Sequence, residues 1–116
     1  MEMQLNIVED KLQLEFTWQE QLLAVRFQKL WLIPLAHIKQ TTITKPQSSW
    51  KELRAPGSFI PGIIKAGTYY TERGKEFWYV NRDNSYLNIE LQDESYERII
   101  LTIDNSNYWL QKLTQV

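Results

Sequence analysis

The 116-residue sequence predicts a small, mainly β domain of the α+β class, with about seven or eight short antiparallel strands followed by one C-terminal helix. Three observations point that way. Apolar and polar residues alternate with period two along most of the chain, short polar or glycine-containing turns separate these runs, and the final segment offers a capping residue followed by a helical apolar stripe. With 43% hydrophobic and 13% aromatic residues the chain has ample material for a core, and 23% charged residues suit a solvated surface. A chain of this length is expected to form one domain, residues 1–116, around a single core.

The elements follow in order. "MQLNIV" alternates Met3, Leu5 and Ile7 against Gln4 and Asn6, "KLQLEF" alternates Leu12, Leu14 and Phe16 against polar residues, and Glu9 with Asp10 turns one into the other. "WQEQLLAVRF" suits helical spacing, since Trp18, Leu22 and Val25 can share a face. "KLWLIPL", with Pro34 near its end, and the β-branched "HIKQTTIT" read as two further strands. From Lys45 to Gly62 no period holds, and Pro46, Pro56, Pro61, Gly57 and Gly62 mark a long irregular connection. "AGTYYT" and "KEFWYVN" flank "ERG" as a clear hairpin. "YLNIELQD" and "RIILTID" flank "ESYE" as another, with Leu87, Ile89 and Leu91 on one face and Ile99, Leu101 and Ile103 on another. In "DNSNYWLQKL", Asp104 or Asn105 can cap a helix whose stripe is Trp109, Leu110 and Leu113. Such a helix closes an end that strands alone leave open, so a small curved barrel or two packed sheets is expected.

Several phrases, taken in this order, resemble the bacterial pleckstrin-homology-like (PH-like) domains. They are "LQLEF" leading to "KLWLIPLAHI", then "LRAPGSFIPGIIKAGTYY" with "GKEFWYV", then "LNIELQDESYERIILTIDN" and a closing helix with Trp109. The resemblance covers nearly the whole chain. It implies a split barrel of about seven antiparallel strands in two near-orthogonal sheets, capped by the C-terminal helix, with Trp109 packing against the core. Phosphoinositide-binding members of the wider fold carry several Lys and Arg around the first hairpin. Here Met3 to Trp18 holds only Lys11 among Glu9, Asp10 and Glu15, so that ligand is not carried over.

Composition narrows the function. With no cysteine there are no disulfides, thiolate nucleophiles or Cys-based metal sites. The start "MEMQLNIVED" lacks a basic and an apolar signal region, and Leu22 to Ala36 is too short to span a bilayer, so a cytoplasmic protein is expected. His37 is the only histidine, and the sequence places no nucleophile or orienting group beside it; catalysis and imidazole-based metal binding are not expected. Asp93, Glu94 and Glu97 lack calcium-loop spacing, and Gly57, Gly62 and Gly67 form no phosphate cradle, so no cofactor is implied. Those glycines are instead expected to supply positive-φ turns. The aromatics of "TYYT" and "EFWYV" invite base stacking, but a pI near 5.8 lacks the basic excess of a nucleic-acid binder.

Net charge is −1, unevenly spread: −2 over residues 1–38, +5 over 39–82 and −4 over 83–116. Lys39, Lys45, Lys51, Arg54 and Lys65 would form a site for acidic groups if they converge in space, and ordinary solvated charges if they scatter. Phe59 and Ile60, with Ile63 and Ile64, either tuck beneath the sheets or form an apolar lip for a partner. The leading expectation is a non-catalytic binding or assembly module whose partner is another protein or a second copy. The alternative is peripheral recognition of an anionic lipid surface through the basic middle of the chain.

Overall fold

The computed structural model describes residues 3–24, 29–44, 53–60, 64–81 and 85–114, with side chains described at all of these except 22–24, 53–60 and 64. The described residues form two sheets. β1 (Gln4–Val8), β2 (Lys11–Glu15) and β3 (Leu30–Pro34) make an antiparallel sheet in the order β1-β2-β3. The larger sheet holds β4 (Ile38–Thr42), β5 (Leu53–Ile60), β6 (Ile64–Thr71), β7 (Gly74–Asn81), β8 (Tyr86–Leu91) and β9 (Arg98–Thr102), in the order β4-β8-β9-β7-β6-β5.

Local chemistry accounts for most element ends. β1 turns into β2 over Glu9 and Asp10, with Glu9 at φ +59 in the left-handed region a tight hairpin requires. Helix α1 (Trp18–Ala24) opens with a capping box: Glu20 N–H donates to Thr17 Oγ1 at 3.2 Å, and Thr17 N–H donates to Glu20 Oε1 at 2.7 Å. Gly74 ends the β6–β7 turn at φ +124, where a Cβ would come 2.6 Å from Glu97 Cγ. Only glycine fits there without displacing the glutamate. A 3₁₀ turn, Leu35–His37, joins β3 to β4, and helix α2 (Ser106–Thr114) closes the described chain.

One core joins the two sheets. Leu5, Leu12, Leu14, Phe16 and Ile33 of the small sheet and its continuation meet Phe77, Leu87, Ile89, Leu91, Ile99 and Leu101 of the large one. Phe16 and Trp31 each set an edge against Phe77, with ring centroids 5.8 and 5.3 Å away. From α2, Trp109 and Leu113 are buried in the same core, while Leu110 is half-buried.

Four expectations change. First, residues 53–60 of the supposed irregular connection form β5, hydrogen-bonded to β6. Pro56 and Gly57 read as loop punctuation, but the register shifts between Arg54 and Gly57, and a bulge on an edge strand tolerates proline because no ladder N–H is lost. Second, the strands are not all antiparallel. β7 and β9 pair in parallel, because β8 lies one strand's width beyond β7 and the β8–β9 turn folds β9 back into the gap. Third, Leu87, Ile89 and Leu91 share one core with Ile99, Leu101 and Ile103 instead of lining separate faces. Fourth, the described residues hold nine strands instead of seven or eight, with no closed barrel among their pairings.

Candidate functional site

The two strongest features are the outer face of the large sheet, turned away from the common core, and the open edges of the small sheet. On the outer face, the register aligns Tyr69, Glu76, Arg98 and Glu90 across β6, β7, β9 and β8. The next row aligns Gly67, Trp78, Ile100 and Asn88. Because side chains alternate along each strand, these rows share a face, and Tyr69, Trp78, Val80 and Ile100 form a second, smaller apolar cluster there.

Glu76 lies at its margin with its side chain fully buried. Trp78 Nε1–H donates to it at 3.0 Å, Arg98 Nη2 at 3.1 Å and Arg73 Nε at 3.2 Å. Burial pushes the Glu76 carboxyl up, but the hydrogen bond and charge of Arg98, with the bonds from Trp78 and Arg73, outweigh it and hold the pKa below the ordinary 4.5. A carboxylate so held stays ionised at neutral pH. It orients two guanidinium groups and an indole, and has no proton to give as a general acid.

Lys65 and Tyr69 flank Gly67 on β6, and Gly67, at φ +136, has no side chain to separate them. The Lys65 Nζ lies 3.6 Å from the Trp78 ring centroid and 4.3 Å from that of Tyr69, and the residue is only 7% exposed. This is a cation held between two aromatic faces. Arg98 adds a second cation, its guanidinium 5.8 Å from the Trp78 ring centroid.

The expected basic site does not assemble from the described residues. Lys39 is exposed on β4, whereas Arg54 lies on β5 at the opposite edge of the same sheet, with four strands between them and about 24 Å apart at the usual strand spacing. Lys65 is buried against Trp78 and Tyr69 and does not face solvent. Phe59 and Ile60 belong to β5, opposite Lys65 and Ile64, and Gly57 pairs with Gly67. Lys45, Lys51, Gly62 and Ile63 lie outside the described residues.

His37 also differs from expectation, because the fold supplies the orienting group that the sequence did not reveal. Its Nδ1 lies 2.5 Å from Glu94 Oε2, and the Gln92 N–H donates to the His37 carbonyl at 2.8 Å. The pair ties the 3₁₀ turn to the β8–β9 turn, in which Asp93 takes φ +60. Among the described residues, no group of three His, Asp or Glu side chains is arranged to hold a metal ion.

Sequence reasoning missed the Glu76 cluster. Its signal was present in "KEFWYV", where Glu76 and Trp78 fall two apart on one face of a strand rich in aromatics. A carboxylate at such a position calls for a cation from another strand, and Arg98 lies directly opposite it on β9.

The small sheet is open on both sides: among the described residues, β1 and β3 each pair only with β2. Two hydrogen bonds determine which backbone groups face outward. Phe16 N–H donates to the Lys29 carbonyl and Leu35 N–H to that of Asp10, both at 2.9 Å. Bonded and non-bonded pairs alternate along an antiparallel ladder, so Leu12 with Ile33 and Leu14 with Trp31 are the bonded pairs of β2 and β3. The N–H and C=O groups of Leu30 and Leu32 therefore face the open side of β3, and these two side chains are 44% and 47% exposed. On the other flank, Lys11, Gln13 and Glu15 bond to Val8, Asn6 and Gln4, which turns the backbone groups of Leu5 and Ile7 to the open side of β1.

A cleft of about 680 Å³ runs along β1. Residues Met3 to Asn6 line one wall, with Ile103, Asp104, Asn105 and Trp109 on the other. Compared with known proteins, the chain matches no family model, no curated protein and no solved structure.

Proposed function

We propose that this chain is a non-catalytic binding or assembly module that makes its contacts through the open edges of its small sheet. The observation that carries the reading is the coincidence, on β3, of outward backbone groups with exposed leucines at positions 30 and 32. Unpaired strand edges with apolar flanks bury well against another polypeptide and poorly against water. The buried charges support the same reading. Arg73 and Arg98 both pair with the buried Glu76, and Lys65 is engaged by Trp78 and Tyr69, so these charges serve the packing of that face.

The finer architecture we propose is a PH-like split barrel. Two packed sheets and a C-terminal helix that buries a tryptophan support it, while the parallel β7–β9 pair departs from the antiparallel pattern that the resemblance implies. Recognition of an anionic membrane draws little support, because Lys39 and Arg54 lie on strands at opposite edges. Co-sedimentation with liposomes tests the choice. The chain is expected to stay in the supernatant with neutral and anionic vesicles alike, and salt-sensitive pelleting with anionic vesicles alone would overturn the protein-contact reading.

A further inference from the structure

We infer that the cleft along β1 takes an extended peptide from a partner protein, added to β1 as a further strand, with a basic side chain beside Asp104. The inference rests on the binding-module reading and names the surface and the chemistry of its partner.

The lining of the cleft favours a peptide over a small apolar ligand. Met3, Leu5, Ile103 and Trp109 expose only 7–8% of their surface, so they form a floor already covered by the rest of the core. The accessible walls are mainly polar, made of Gln4, Asn6, Asp104, Asn105 and the outward backbone groups of β1. Small-molecule sites are mostly apolar with few polar groups, the reverse of this arrangement. An added strand supplies what these walls lack, because its N–H and C=O groups pair with those of Leu5 and Ile7 in an alternating ladder. Along Met3 to Asn6 the wall is about 13 Å long, enough for a strand of about four residues.

Charge sets the preference among peptides. Among the described residues, Asp104 is the only ionisable one lining the cleft, and it is exposed. At the hairpin end of β1 the exposed Glu9 and Asp10, with Lys11 beside them, add a net charge of −1. A lysine or arginine on the incoming strand meets an opposite charge at this wall, whereas a glutamate is repelled.

The experiment is a titration of the isotope-labelled chain, followed by amide chemical shifts, with three short synthetic β-prone peptides. Two are identical except for a central Lys or Glu, and the third is the Lys peptide methylated on every backbone nitrogen. The Lys peptide is expected to shift the amides of Leu5 and Ile7 and the indole of Trp109, to bind about tenfold more tightly than the Glu peptide, and to lose binding on methylation. Asp104→Lys, at an exposed position, should reverse the order of the first two. Equal affinity for the Lys and Glu peptides, or undiminished binding of the methylated one, would overturn the inference. Shifts confined to Leu30 and Leu32 would move peptide capture to β3, overturning the cleft and leaving the module reading intact. No shift with any peptide would also overturn the cleft, and the module reading would then stand or fall with the liposome experiment.

Discussion

Glu76 shows how a single side chain organises one face of this molecule. A buried carboxylate without partners is costly, and here two guanidinium groups and an indole N–H converge on it. Glu76→Gln leaves Arg98 beside a neutral group and should lower stability by about 3 kcal/mol, read as a fall in the urea midpoint at neutral pH. The pH dependence has a definite sign. The folded pKa of Glu76 lies below its ordinary value of 4.5, so its contribution is fully present above that value and is lost as pH falls through the lower folded value. The stability gap between wild type and Glu76→Gln should therefore narrow below about pH 4.5, and a gap that stays constant would separate the residue from the acid transition. Little of this cluster was legible in the sequence. Lys65 read there as a member of a basic site or as a solvated charge, and nothing paired Glu76 with Arg73 or Arg98, because charge along a chain does not report which strands become neighbours, and β9 reaches β7 only by folding back past β8.

At the scale of elements, alternation revealed more than punctuation did. The runs around Leu5, Leu14, Phe77, Ile89 and Leu101 are strands, because a period of two buries one face of each. Proline and glycine misled at β5, since a bulged edge strand tolerates both. Trp18 and Leu22 pointed to a helix, but the more specific signal was Thr17 with Glu20, three residues apart, as a capping box requires. Thr17→Ala removes the acceptor for the Glu20 N–H and should cost about 1 kcal/mol, measurable by thermal unfolding. In α2, Trp109 is 7% exposed and sits in the common core. Trp109→Ala should destabilise by about 3–5 kcal/mol, and an unchanged denaturant midpoint would remove the helix from the core.

For the whole molecule, the two sheets differ in how they end. The large sheet buries both faces of its central strands, with Ile99 and Leu101 toward the small sheet and Ile100 toward the outer cluster. The small sheet buries one face and, among the described residues, leaves two edges open, and the proposed function resides at those edges. Composition and strand pattern foretold a mainly β fold with a closing helix. They could not foretell which edges stay open, since that depends on pairing between distant segments. The most direct measurement is residue-resolved amide hydrogen exchange of the free protein. Leu5, Ile7, Leu30 and Leu32 should exchange fast while Asn6, Val8, Trp31 and Ile33 are protected, a period-two pattern along both edge strands. Protection of Leu5 and Ile7, or of Leu30 and Leu32, at the level of their neighbours would mean that the corresponding edge is already paired, and would contradict its use as a contact surface.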